Sequence, residues 1–205
     1  MLINNLNNII KKKDISKKKD INEKIVFGFW IYLISDCILF ATIFSIFAVM
    51  TNSVSYNWIN KDFFNLRTVF LETICLLTSS ITYGIASILI DYNKKKYFFI
   101  FLIITFLLGF SFISLEFFEL YSLILKGYTP INNAFLSSFF VLVGMHGIHI
   151  FSGLVWLLIL IINIKKIGLV KKTKTQIKCL GLFWHFLDII WICIFTFVYL
   201  FGKLI

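Results

Sequence analysis

Three histidines stand in the apolar part of this chain, and each has another polar residue three positions away. His146 and His149 share the run Gly144–Gly153 (GMHGIHIFSG), while His185 and Asp188 share Trp184–Trp191 (WHFLDIIW). On a helix that spacing projects both members of a pair from nearly the same side. Asp36, Glu72, Glu116 and Glu119 add carboxylates inside apolar runs of their own. Such groups can ligate a metal ion, pass a proton, or hydrogen-bond one helix to another. The metal reading lacks a specific pattern. His-x-x-His and Glu-x-x-Glu differ from the Glu-x-x-His pairs of di-iron bundles, and no His-Glu-x-x-His motif occurs. A proton or ion path would use Asp36 or Glu72. Hydrogen bonds and ion pairs that fix the register of a helix bundle are the reading the residues favour.

The elements that must position these groups are long and apolar. The 205 residues are 60% hydrophobic and 15% charged, with 25 Phe and a single Pro, and the mean hydropathy is +0.91. That composition excludes a soluble domain built on one core and predicts an all-α, polytopic membrane protein. Five apolar segments, at 27–50, 66–90, 97–120, 134–162 and 180–202, each supply the ~20 residues a helix needs to cross a bilayer. Residues 25–205 are therefore expected as a five-helix transmembrane domain, and 1–24 as a basic, disordered tail. No short apolar core with a small-residue cleavage site precedes them, so no removable signal peptide is expected. Gly144, Gly147 and Gly153 are the kind of small residues that let membrane helices approach closely.

The formal charge of +10 raises nucleic-acid binding, but the lysines sit in short runs between apolar segments, where membrane topology places them. Seven lie in the tail, three at Lys94–Lys96 and six between Lys165 and Lys178; the opposite side holds Lys61, Arg67, Lys126 and Lys203. This bias predicts a cytoplasmic N-terminus and a periplasmic C-terminus. Cys37, Cys75, Cys179 and Cys193 form no Cys-x-x-Cys pair and read as small hydrophobes. Trp30, Trp58, Trp156, Trp184 and Trp191 are expected as interface anchors or packing groups rather than as the walls of a quinone or lipid groove. By depth, Asp36, His149, His185 and Asp188 can gather in the cytoplasmic half, with Glu72, Glu116 and Glu119 in a second, outer layer. Pro130 is expected to mark the entry to the fourth helix.

Four stretches, in order and at similar spacing, resemble signatures of the haem–copper oxidase subunit III family. They are Phe27–Phe40 (FGFWIYLISDCILF), Glu116–Glu119, Met145–Gly153 and Trp184–Trp191. The resemblance covers most of residues 25–202. Five helices in about 200 residues resemble the cytochrome bo-type quinol oxidase branch rather than the seven-helix cytochrome c oxidase subunit. Asp36 stands where cytochrome c oxidase relatives carry a buried Glu, so a role belonging to that Glu does not transfer directly.

The resemblance implies an accessory subunit of a proton-pumping ubiquinol oxidase in a bacterial inner membrane. Haem and copper would belong to partner subunit I, with subunit II and a small subunit IV as further partners and ubiquinol as the substrate of the whole. This chain would hold no cofactor or metal itself, bind phospholipid in a V-shaped arrangement of helices, and pack on subunit I. Asp36, Glu72, Glu116, Glu119, His146, His149, His185 and Asp188 would then be structural or would tune proton uptake. The rival expectation is a stand-alone ion or metal transporter, although no inverted pair of broken helices is evident.

Overall fold

The computed structural model describes residues 2–53, 66–92, 95–131, 133–167 and 171–200, with side chains from Ile21 onward except near the gaps. Trp58, Lys61, Lys94 and Lys203 lie outside the described residues, as do the side chains of the other lysines before Ile21 and of Lys171 and Lys172. Five α-helices follow one another: α1 (Leu2–Ser53), α2 (Leu66–Asp91), α3 (Lys95–Leu125), α4 (Ala134–Ile167) and α5 (Lys171–Ile194), with α5 continuing as a π-helical turn, Phe195–Leu200. No strand occurs among the described residues. All five helices contain a span long and apolar enough to cross a membrane. A helix is the natural form for such segments because hydrocarbon offers no partner to backbone N–H and C=O groups.

The helices run past the expected spans. α1 continues back through 2–24, the stretch expected as a disordered tail, and α5 starts at Lys171 rather than at residue 180. Extending an existing helix fixes one residue per added hydrogen bond, so polar turns outside the bilayer join an apolar helix cheaply. At the far end of α3, Gly127 has φ +87°. Its N–H reaches the Ile124 carbonyl at 3.0 Å, and the Tyr128 N–H reaches the Leu123 carbonyl at 3.1 Å. These two bonds close a Schellman motif, which needs a left-handed residue where only glycine is unstrained. Pro130 precedes α4 as expected; its carbonyl accepts from the Ser137 hydroxyl, and the first helical bond runs from the Ser137 N–H to the Asn133 carbonyl.

Consecutive helices run antiparallel. Thr82 on α2 meets Thr105 on α3 at 2.8 Å, and α2 and α3 form the most extensive pairing. α1 packs on α4 through Phe29–Trp156, Phe40–His149 and Phe47–Phe135. α5 is central, in contact with α1, α2 and α4. The start of the α1 span therefore shares one end of the bundle with the last turns of α2 and α4 and the first turns of α3 and α5, the end that carries Lys95, Lys96, Lys165 and Lys166.

Glycines set the closest approaches. A Cβ at Gly109 would lie 3.0 Å from both Leu154 Cδ2 and Trp184 Cζ2, one at Gly153 3.0 Å from Phe183 Cε1, and one at Gly181 2.9 Å from Tyr83 Cε1. Gly147 and Gly153 behave as expected of small interface residues, but a Cβ on Gly144 would meet nothing within 4 Å. Gly144 faces open space.

Candidate functional site

The two expected polar layers both exist, and they are built differently. In the first, Asp36 on α1 faces His149 on α4, with Oδ2 3.7 Å from Nε2. That distance suits an ion pair and is too long for a hydrogen bond. His149 Nδ1 is fixed by the Met145 carbonyl at 2.8 Å, and its ring packs on Phe40 and Phe183. On α5, His185 Nδ1 lies 2.8 Å from the Ser80 hydroxyl and 3.6 Å from Asp188 Oδ2. The four residues thus form two acid–imidazole pairs: Asp36–His149 joins α1 to α4, whereas His185–Asp188 lies within α5, which the His185–Ser80 contact joins to α2.

The second layer is acidic. Glu72 on α2 and Glu116 and Glu119 on α3 are buried. The Tyr199 hydroxyl, in the π-helical turn, donates to Glu119 Oε2 at 3.3 Å. Neither carboxyl oxygen of Glu72, nor Oε1 of Glu116, has a hydrogen-bond partner among the described residues. Gly147 makes room for the Glu116 carboxyl: a Cβ there would stand 2.9 Å from Oε2.

Between the layers, His146 is fully buried. Its ring stacks on Trp191 at 5.2 Å and meets Phe112 edge-on at 5.9 Å. Neither ring nitrogen has a partner among the described residues. His146 and His149 do share a side of α4, since both approach Phe40.

Sequence reasoning missed the hydroxyls that anchor α5 to α2. Trp184 Nε1 donates to Ser79 Oγ and Trp191 Nε1 to Thr73 Oγ1, each at 3.0 Å. Tyr83 donates to the Ile177 carbonyl at 2.7 Å. Of the tryptophans read as anchors or packing groups, Trp184 and Trp191 are core residues and Trp30 is exposed. A buried indole needs an acceptor for its N–H, so the hydroxyl-bearing face of α2 was the available signal.

Among the described residues no three His, Cys, Asp or Glu side chains form a group able to hold a metal ion. His146 is enclosed by aromatic rings, and the other two imidazoles are already placed against carboxylates. A groove of about 440 Å³ opens at the lysine-rich end, with Gly28, Phe29, Tyr32, Trp156 and Cys179 among its walls.

Comparison with known proteins agrees with the motifs. Residues 6–203 match the family described as cytochrome c oxidase subunit III. The chain is 46% identical, over 205 residues and the full length of both, to cytochrome bo(3) ubiquinol oxidase subunit 3 of Buchnera aphidicola subsp. Acyrthosiphon pisum. It is 49% identical over 179 residues to the protein of the same name in Pseudomonas aeruginosa, covering 87% of this chain and 86% of the relative. Quinol oxidase subunit 3 of Bacillus spizizenii is 40% identical over 177 residues, covering 86% and 87% respectively. With its all-helical architecture and five membrane-length spans, the chain belongs to the cytochrome c oxidase subunit III family.

Proposed function

We propose that this chain is the accessory third subunit of a cytochrome bo-type ubiquinol oxidase in the aerobic respiratory chain. The observation that carries the reading is the end-to-end similarity to a protein of that name, at 46% identity over 205 residues. In this reading subunits I and II oxidise ubiquinol and reduce O2 to water, moving protons outward. Subunit I bears the haem and copper, and a small subunit IV completes the assembly. The complex sits in a bacterial inner membrane with the lysine-rich end of this chain in the cytoplasm. The chain's own work is mechanical. The Asp36–His149 pair ties α1 to α4, and the His185–Ser80 contact and the Trp–hydroxyl bonds tie α5 to α2, giving subunit I a rigid wall. The groove lined by Phe29 and Trp156 receives a phospholipid chain, with nearby Lys174 and Lys178 suited to its headgroup. Asp36, buried beside an imidazole, is the acid that best fits support of proton uptake by subunit I. A stand-alone transporter is not supported, because the full-length relatives carry oxidase-subunit names.

Purification in mild detergent tests the assignment. The expected result is this chain in stoichiometric amount with larger subunits and a haem spectrum from the complex. Ion transport by the purified chain alone, without associated subunits, would contradict it.

A further inference from the structure

Three buried side chains on three different helices carry polar atoms with no hydrogen-bond partner among the described residues. They are both carboxyl oxygens of Glu72 on α2, Oε1 of Glu116 on α3 and both ring nitrogens of His146 on α4. The three residues are 0%, 4% and 0% exposed. Glu119 differs, because the Tyr199 hydroxyl donates to it. A buried polar atom left unanswered costs more than a typical hydrogen bond contributes, and lipid tails supply no substitute.

The three lie together. Thr82 and Thr105 meet at 2.8 Å across antiparallel α2 and α3. Ten residues from that contact, away from the lysine-rich end, stand Glu72 on α2 and Leu115, the neighbour of Glu116, on α3. The two acids are therefore level to within about 1.5 Å along the bundle. Gly147 on α4 lies so near the Glu116 carboxyl that a Cβ would stand 2.9 Å from Oε2, and His146 is the residue before it. From His146 the packing returns to α2: its ring stacks on Trp191, whose indole N–H donates to Thr73, next to Glu72. An acid on α2, an acid on α3 and an imidazole on α4 thus converge on one enclosed region of the bundle.

We propose that this region binds ordered water, with at least one molecule bridging the Glu72 and Glu116 carboxyls and a ring nitrogen of His146. The chemistry of the three groups selects the ligand. Carboxyl oxygens accept, while a neutral imidazole needs an acceptor at one nitrogen and a donor at the other. Water offers both, and a buried water makes about three hydrogen bonds, enough for one to each helix. An anion would be repelled by the acids, and an apolar molecule would answer none of these atoms. Among the described residues, no three His, Cys, Asp or Glu side chains form a group able to hold a metal ion. Water here ties α2, α3 and α4 together as the Asp36–His149 pair ties α1 to α4. The site lies wholly within this chain, so it stands or falls independently of the oxidase assignment.

Two measurements on the detergent-purified protein, with whatever subunits accompany it, test the proposal. Electron cryo-microscopy at a resolution that shows water should reveal density within hydrogen-bonding distance of Glu72, Glu116 and His146. X-ray hydroxyl-radical footprinting, in which a bound water labels the side chains beside it, should modify Trp191 and Phe112. Phe98, equally buried at the other end of α3, is the control and should stay unlabelled. Glu72→Gln keeps a water-binding group and should retain both signals, whereas Glu72→Met, of similar length and apolar, should lose the labelling. Labelling of Trp191 and Phe112 no greater than that of Phe98, with no density beside the carboxyls, would overturn the site. So would undiminished labelling in Glu72→Met, or a metal ion held by the carboxylates. A preparation without haem-bearing partners would contradict the oxidase assignment and leave these readouts unaffected.

Discussion

The two polar layers contain similar residue types and solve the same problem in opposite ways. In one, each acid faces an imidazole on the same or a neighbouring helix: Asp36 with His149 and Asp188 with His185. In the other, Glu119 accepts from the Tyr199 hydroxyl, and neither carboxyl oxygen of Glu72 has a hydrogen-bond partner among the described residues. The first layer is explained by cross-linking of helices. The second layer has its stability supplied by its surroundings: Gly147 gives Glu116 its space, and Trp191, His146 and Phe112 form an aromatic wall close by. Composition alone does not tell which buried acid is a strut; its partner does.

This contrast orders the expected effects of substitution. Trp191→Ala, which removes the wall, the stack on His146 and the bond to Thr73, should cost the most, about 3–5 kcal/mol, read as a lower midpoint on heating the purified complex. Gly147→Val drives a side chain into the Glu116 carboxyl and should cost about 1–3 kcal/mol. Gly144→Val, in open space, should stay within about 0.5 kcal/mol in the same assay. If Gly144→Val proves as damaging as Gly147→Val, the acidic layer does not depend on that glycine. Asp36→Asn keeps a polar group opposite His149 and should cost about 0.6–1.7 kcal/mol. Its more telling readout is function: faster loss of activity during turnover and a lower proton-to-electron ratio are expected, and unchanged values would remove Asp36 from proton uptake. Among the polar contacts Thr82→Val should matter least, about 0.6 kcal/mol or less, because Thr105 retains its own bond to the Phe101 carbonyl.

Much of this was legible in the chain itself, for a physical reason. Hydrocarbon demands long apolar runs with internally bonded backbones, so five spans could be counted without side-chain detail. The helix ends could not, since hydropathy reports the thickness of the membrane and not where the hydrogen-bonded ladder stops. α5 gains its first turns from Lys171, Lys172 and Thr173, residues with no apolar signal. Nothing in Phe195–Leu200 announces a π-helical turn. At the site, the three-residue spacing of His146 and His149 implied a shared side of α4, and both rings approach Phe40. Depth estimates placed Asp36, His149, His185 and Asp188 in the same half of the membrane but carry no information about direction around the helix axis, which decides that Asp36 faces His149 and Asp188 faces His185. Ser80 and Thr73 were passed over because a hydroxyl in a membrane helix most often bonds to its own backbone, as Thr78 does.

The claim beneath all of this is that the histidines and acids hold helices and ligate nothing. Metal analysis and an optical spectrum of this polypeptide, separated from its partner subunits in detergent, address that claim directly. The account predicts a chain free of stoichiometric metal and without haem absorbance. A tightly retained ion or haem, lost when His146, His149 or His185 is replaced, would contradict it.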